Sequence, residues 1–112
     1  METQVEEKGE VVVVRVKGRL DAASSPQLEK KINSIIESGH FKLLLNMAGV
    51  DYLSSAGMRL MLSISKKLKH LEGKVVASNL SDDCLEVIKM AGFHQILELY
   101  PSEEEGINHL AL

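Results

Sequence analysis

Two adjacent serines, Ser54 and Ser55, stand directly before the most apolar helical segment of the chain. A serine at a helix start commonly caps the helix, because its hydroxyl accepts a hydrogen bond from a free backbone N–H group. The same place also tolerates a phosphate, because that group meets unsatisfied N–H donors and the positive end of the helix dipole. The serines therefore allow two interpretations, a structural cap, which is the commoner use, and a regulated phosphorylation site.

Other residue types that could carry chemistry do not form a motif. The four histidines, at positions 40, 70, 94 and 109, lack the local spacing of a zinc site. The single Cys84 has no base close to it in the sequence and cannot form an internal disulfide. There is no glycine-rich phosphate loop and no Gly-x-Ser-x-Gly elbow. We therefore expect no catalytic residue, no metal site and no cofactor.

Composition limits the possible partners and compartments. The chain has 112 residues, of which 45% are apolar and 26% are charged, as in an ordinary globular domain. A net charge of −3, with no basic stretch that dominates the chain, argues against nucleic acid as the main partner. No apolar run approaches the roughly 18 residues of a spanning helix, and the acidic start METQVEEKGE is unlike a signal peptide. We expect a soluble cytoplasmic protein with no membrane partner.

Strands and helices alternate along the chain. Runs of β-branched and aliphatic residues predict strands at 4–8, 11–20, 41–46, 74–78 and 95–100. Apolar spacing and caps predict helices from Ser25-Pro26 to Gly39, over 56–71, from Ser81 to Gly92, and after Ser102, where Glu105 completes a capping box. Strands joined through helices pair in parallel, whereas the N-terminal hairpin is antiparallel. The pattern therefore predicts an α/β fold with a mixed β-sheet.

Three stretches in order are similar to one known family. They are VKGRLDAASSPQL at 16–28, KLLLNMAGVDYLSSAGMRLML at 42–62 and GKVVASNLSDDCLEVIKMAGFHQILELYPSEEEGI at 73–107. Together they resemble the STAS-domain family, most closely the bacterial anti-sigma factor antagonists. The resemblance implies a single STAS-like domain over residues 1–112, with the helices packed mainly on one face of the mixed sheet.

The resemblance also assigns roles to residues. Placing Gly57 and Met58 on the family's Gly-Leu pair puts the phosphorylated serine at Ser55, with Ser54 as the alternative acceptor where the family usually has aspartate. Arg59 follows Ser55 by one helical turn and is placed to pair with a phosphate. The implied partner-binding surface consists of Asp21, Asn46, Ser54, Ser55, Ala56, Gly57, Met58 and Arg59.

Some of these residues also have structural interpretations. Asp21 equally fits a turn residue before the first helix. The structural interpretation of Asn46 is a residue that satisfies loop backbone groups. Ala56 and Gly57 are small, so we expect a backbone that a kinase or a partner can approach closely.

The function implied by the resemblance is a protein-interaction switch and not an enzyme. The unphosphorylated protein would bind an anti-sigma factor with serine kinase activity and so free the sigma factor. Phosphorylation would abolish binding, and a PP2C-type phosphatase would reverse it. Two alternatives stay open. One is a STAS module that is never phosphorylated, which Ser54 in place of the aspartate favours. The other is a small-ligand or nucleotide sensor, against which the missing phosphate loop argues.

Overall fold

The computed structural model describes residues 1–111, in which strands and helices alternate as predicted. The strands are β1 (Glu2–Lys8), β2 (Val11–Leu20), β3 (Lys42–Leu53), β4 (Lys74–Ser78) and β5 (Glu98–Tyr100). The helices are α1 (Ser25–Glu37), α2 (Ser55–His70), α3 (Asp82–Met90) and α4 (Glu103–Leu110), with a short 3-10 helix at Phe93–Gln95. None of the helices in residues 1–111 combines the length and the apolar character needed to cross a membrane.

The strands form one mixed sheet in the order β1-β2-β3-β4-β5. The hairpin of β1 and β2 is antiparallel, and every other neighbouring pair is parallel. Gly9 turns the hairpin with φ +63°, a left-handed conformation that glycine adopts without steric cost. The carboxyl ends of β2, β3, β4 and β5 meet at one edge of the sheet, so all four helices begin there. The predicted mixed α/β fold is confirmed.

Helices cover the two faces of the sheet unequally. On one face, α1, α2 and α3 bury a large aliphatic core, to which they contribute Leu28, Ile32, Ile35, Ile36, Leu60, Met61, Ile64, Leu68, Cys84 and Ile88. On the other face, α4 packs its Leu110 in a small cluster formed with Val11, Val13, Leu44 and Val76. Because β2 is buried on both faces at this level, its sequence reads as a run of four valines. The prediction that helices pack mainly on one face is confirmed.

Three predicted strands have different bounds in the structure, and the first of them begins at Glu2 and not at residue 4. The prediction of a third strand over 41–46 is wrong at its end, since β3 continues to Leu53. Two register shifts against β2 break the regular alternation, so the buried residues Met47, Val50 and Leu53 follow every third position. The last strand is shorter than the predicted 95–100, because the chain leaves Gly92 in a left-handed conformation (φ +77°) and forms a 3-10 turn first.

The start of α1 also differs by one residue. Ser24, and not Ser25, holds the N-cap position, and Pro26 follows within the first turn. The Ser24 hydroxyl donates to the Arg19 carbonyl over 2.6 Å, and the Ser25 hydroxyl donates to the Asp21 carbonyl over 2.6 Å. Both serines therefore tie the helix start back to the end of β2. The predicted caps Ser81 and Ser102 are confirmed, since each accepts a backbone N–H bond of 3.2 Å.

Candidate functional site

The two serines at the start of α2 have separate positions. Ser54 has an extended backbone (φ −91°, ψ 171°), and its hydroxyl accepts from the Gly57 N–H group over 3.2 Å. Its own N–H donates to the Leu20 carbonyl over 3.0 Å, and its carbonyl accepts from the Met58 N–H group over 3.0 Å. Ser54 is therefore the N-cap and links α2 to the end of β2. Ser55 is the first helical residue, and its side chain is exposed.

Gly57 and Met58 face the protein interior. A β-carbon at Gly57 would lie 2.8 Å from the Leu20 carbonyl oxygen and 2.9 Å from Leu53 Cδ1. Met58 is only 7% exposed and belongs to the main core. The absence of a side chain at Gly57 lets α2 pack against the strand ends. The expectation that a kinase or a partner can approach the backbone at Gly57 is therefore wrong, because this side of the helix is buried. Ala56, which is half-buried, and Arg59, which is exposed, remain at the surface.

Asp21 closes the turn between β2 and α1. Its carboxylate accepts from the N–H groups of Ala23 (3.1 Å) and Ser24 (3.0 Å) and lies 3.5 Å from Arg19 Nε. The hydrogen bond from the Ser24 N–H group lowers the pKa of Asp21. The turn interpretation of Asp21 therefore holds in the structure. Because Leu20 accepts from the Ser54 N–H group, this turn and the serines also lie at the same edge of the sheet.

A shallow groove of about 370 Å³ runs between α1 and α2 beside Ser55. Its walls are formed by Ala22, Ser25, Pro26, Glu29, Ala56, Arg59, Leu60 and Ser63. The α1 side of this groove was not predicted from the sequence. Pro26 matches an ordinary position of a first helical turn, and Glu29 is an exposed residue of the following turn. No local spacing shows that α1 packs beside α2.

Asn46 lies on the opposite face of the sheet. Its amide Nδ2 donates to Glu103 Oε2, and its Oδ1 accepts from the Ala48 N–H group over 2.9 Å. Alternation along β3 places Asn46 on the same face as Leu44, which packs under α4. It is also a mid-strand residue, since β3 continues to Leu53. The resemblance implied that Asn46 lies beside the serines. The structure corrects this, because Asn46 lies on the other face of the sheet.

Asn46 instead belongs to a charged cluster that no pattern in the sequence indicated. Arg15 donates to both carboxylate oxygens of Glu103, over 2.7 and 3.0 Å, and a third Arg15 nitrogen lies 2.8 Å from Glu6. The hydrogen bonds from Arg15 lower the pKa of Glu103 from its ordinary value of 4.5 to about 2. This pair fastens the start of α4 to the sheet.

The Glu103 carboxylate is expected to stabilise the fold in a pH-dependent way. Its folded pKa lies below its unfolded value, so its contribution is complete above about pH 4.5 and disappears as the pH falls toward 2. We expect Glu103→Gln to lower the free energy of unfolding at pH 7 by about 2 kcal/mol. Urea melts from pH 7 to pH 2 should show this difference shrinking. Glu104→Gln, an exposed neighbour, is the control, and a pH-independent difference for Glu103→Gln would contradict the assignment.

The cap assignment gives a second test. Ser54→Ala is expected to lower the free energy of unfolding by about 1 kcal/mol, because the Gly57 N–H group loses its acceptor. Ser55→Ala removes an exposed hydroxyl one residue later and should change stability by less than about 0.5 kcal/mol. Chemical denaturation of the two variants measures both values. A larger loss for Ser55→Ala than for Ser54→Ala would show that Ser55, and not Ser54, caps the helix.

These features define a class of protein. A mixed sheet with three helices on one face and one on the other, and a capped small-residue helix start after the central strand, form the fold and site of a STAS domain. A family model of the STAS domain matches residues 2–106, and the chain belongs to the STAS domain family, as predicted.

The chain is similar to proteins named as anti-sigma factor antagonists. BtrV of Bordetella bronchiseptica, assigned by name to this group, is 29% identical over 94 residues, which cover 84% of this chain and 81% of BtrV. An anti-sigma factor antagonist from Mycobacterium paratuberculosis shares the fold with a TM-score of 0.91 at 23% identity, covering 99% of this chain and 94% of that one.

SpoIIAA, an anti-sigma factor antagonist, has been solved in two forms. The unphosphorylated form is 26% identical with a TM-score of 0.84, covering 98% of this chain and 96% of SpoIIAA. The phosphorylated form, from Bacillus, is 26% identical with a TM-score of 0.74, covering 96% and 98%. These three relatives are thus named as anti-sigma factor antagonists, and one of them, SpoIIAA, has been solved in a phosphorylated form.

Proposed function

We propose that this chain is an anti-sigma factor antagonist whose binding is controlled by phosphorylation of Ser55. The unphosphorylated form binds an anti-sigma factor with serine kinase activity in the cytoplasm, and the sigma factor is released. A PP2C-type phosphatase restores the binding form. The observation that carries this proposal is the exposed Ser55 side chain at the start of α2, in a chain whose relatives are anti-sigma factor antagonists.

The surroundings of the two serines support Ser55 as the phosphate acceptor. The Ser54 hydroxyl is engaged with the Gly57 N–H group, and its side chain is half-buried. Ser55 projects from the exposed side of the first helical turn, where a kinase reaches it without opening the helix. Ser54 remains the alternative acceptor.

The effect of the phosphate follows from the character of the surface. The start of α2 presents small, uncharged side chains next to the groove between α1 and α2. A phosphate adds a charge of about −1.5 to −2 in the middle of this surface, which a close-packed interface cannot desolvate. Leu20 and Leu53 hold the buried side of α2 in place, so the change stays at the surface. SpoIIAA, with structures in both states, is a precedent for such a switch.

The proposed binding surface is smaller than the resemblance implied. It comprises Ser55, Ala56, Arg59 and the Asp21 turn, together with the α1 side of the groove. Gly57 and Met58 support this surface from inside, and Asn46 lies outside it on the α4 face.

Phosphosite mapping by mass spectrometry tests the proposal. The protein is incubated with the cognate anti-sigma kinase and ATP, and Ser55→Ala is the control. Phosphate on Ser55 of the unmodified chain and none on the variant is the expected result. Phosphate on Ser54 alone would show that Ser54, and not Ser55, is the acceptor. No phosphate with intact binding would favour the constitutive interaction module, and neither phosphate nor binding would favour the ligand sensor.

A further inference from the structure

Two charged side chains face the groove between α1 and α2. Glu29 lies on the α1 wall and Arg59 on the α2 wall, and the other lining residues are small, hydroxyl-bearing or aliphatic. Within residues 1–111, neither of them forms a salt bridge. Arg15, by contrast, is held by Glu103 and Glu6. Arg59 is therefore an uncommitted guanidinium at the rim of a groove of about 370 Å³.

Arg59 is also one helical turn after Ser55. Side chains four residues apart on a helix are neighbours, with β-carbons about 5–6 Å apart. A guanidinium forms paired hydrogen bonds with a phosphate or a carboxylate, which makes it suited to either group. The Ser54 cap and the packing of Gly57 hold the first turn in place, so the spacing of Ser55 and Arg59 is set by the helix.

We propose that Arg59 exchanges one anionic partner for another. When Ser55 is unmodified, Arg59 pairs with a carboxylate of an acidic segment of the anti-sigma factor that lies in the groove. When Ser55 is phosphorylated, Arg59 pairs with that phosphate. This inference rests on the proposed function and names the chemistry of its partner.

The exchange gives phosphorylation two effects at one place. The phosphate is tethered to the same helix, so it competes for Arg59 at high effective concentration. Its negative charge also repels the acidic segment, which has lost its anchor. Glu29 across the groove repels anionic groups near α1, so both the acidic segment and the phosphate are directed to the Arg59 side. The replacement of the carboxylate by the phosphate at Arg59 therefore releases the anti-sigma factor without a change in the fold.

The intramolecular half of the proposal is tested without any partner. The full chain is made with phosphoserine encoded at position 55, and the phosphate is titrated by phosphorus NMR. A nearby guanidinium lowers the phosphate pKa, whose ordinary value is about 6. We expect Arg59→Gln to raise it by about half a unit or more. Lys66→Gln removes a charge two turns further along α2 and should leave it unchanged. The same pKa in Arg59→Gln and in the parent would overturn the phosphate pairing.

The intermolecular half is tested with the unphosphorylated chain and the cognate anti-sigma factor by calorimetry. We expect Arg59→Gln to weaken binding about tenfold or more and to reduce its salt dependence. Lys66→Gln is the control for net charge. Equal affinity of the Arg59→Gln variant and the parent would overturn the pairing with the acidic segment and leave the proposed function standing. If the parent binds no anti-sigma factor, the proposed function fails together with this half, whereas the phosphorus titration still decides the other.

Discussion

Replacing Gly57 with alanine is expected to destabilise the protein by about 1–3 kcal/mol. Alanine normally stabilises a helix relative to glycine, by up to about 1 kcal/mol. At this position, however, the new β-carbon would lie 2.8 Å from the Leu20 carbonyl oxygen and 2.9 Å from Leu53 Cδ1. Backbone and buried side-chain atoms cannot yield without cost, so the packing term reverses the sign that helix propensity alone predicts.

Urea denaturation of Gly57→Ala and the parent chain measures this difference. Ser55→Ala is a suitable control, because it changes a residue of the same helical turn whose side chain is exposed. A Gly57→Ala variant as stable as the parent, or more stable, would show that the glycine is not required for the packing of α2 against β2 and β3.

Ser55→Asp is expected to weaken binding of the anti-sigma factor by about tenfold to a hundredfold, which corresponds to roughly 1.4–3 kcal/mol. The carboxylate carries one charge where a phosphate carries about −1.5 to −2, so the effect of the mimic should be smaller than that of phosphorylation. Ser55→Ala should bind like the parent and should not accept phosphate. Calorimetry with the cognate anti-sigma factor measures the three affinities.

Ser34→Asp is the control that distinguishes the position of the added charge from the change in net charge. Ser34 is exposed on α1 and lies outside the groove, so this variant adds the same charge to a different part of the surface. We expect its affinity to match that of the parent. If Ser34→Asp and Ser55→Asp weaken binding equally, net charge and not the start of α2 controls the interaction.

Much of the fold could be predicted from local patterns in the chain. The four valines of β2 and the four-residue spacing of Leu60, Ile64 and Leu68 mark elements whose burial the structure confirms. The caps Ser81 and Ser102 could be identified because a cap bonds an N–H group only three residues away. Both partners of such an interaction lie within one helical turn, so a short stretch of sequence contains them both.

The division of roles between Ser54 and Ser55 could not be predicted in this way. Either serine suits the start of a helix. The Ser54 N–H group is bonded to the Leu20 carbonyl, and this contact with another strand sets where the helix begins. The end of β3 likewise depends on its pairing with β2, which includes two register shifts, and α1 separates these two strands in the sequence.

Contacts between distant parts of the chain also form two features that no sequence motif indicated, the Arg15–Glu103 cluster and the groove between α1 and α2. Arg15 and Glu103 are 88 residues apart and meet because α4 lies on the face of the sheet that Arg15 shares. The groove beside Ser55 exists because α1 and α2 pack on the same face as neighbours. The periodicity of a sequence establishes which side of each element is buried. Which element lies opposite it depends on the order and register of the strands, and the energy of that choice is distributed over the whole core.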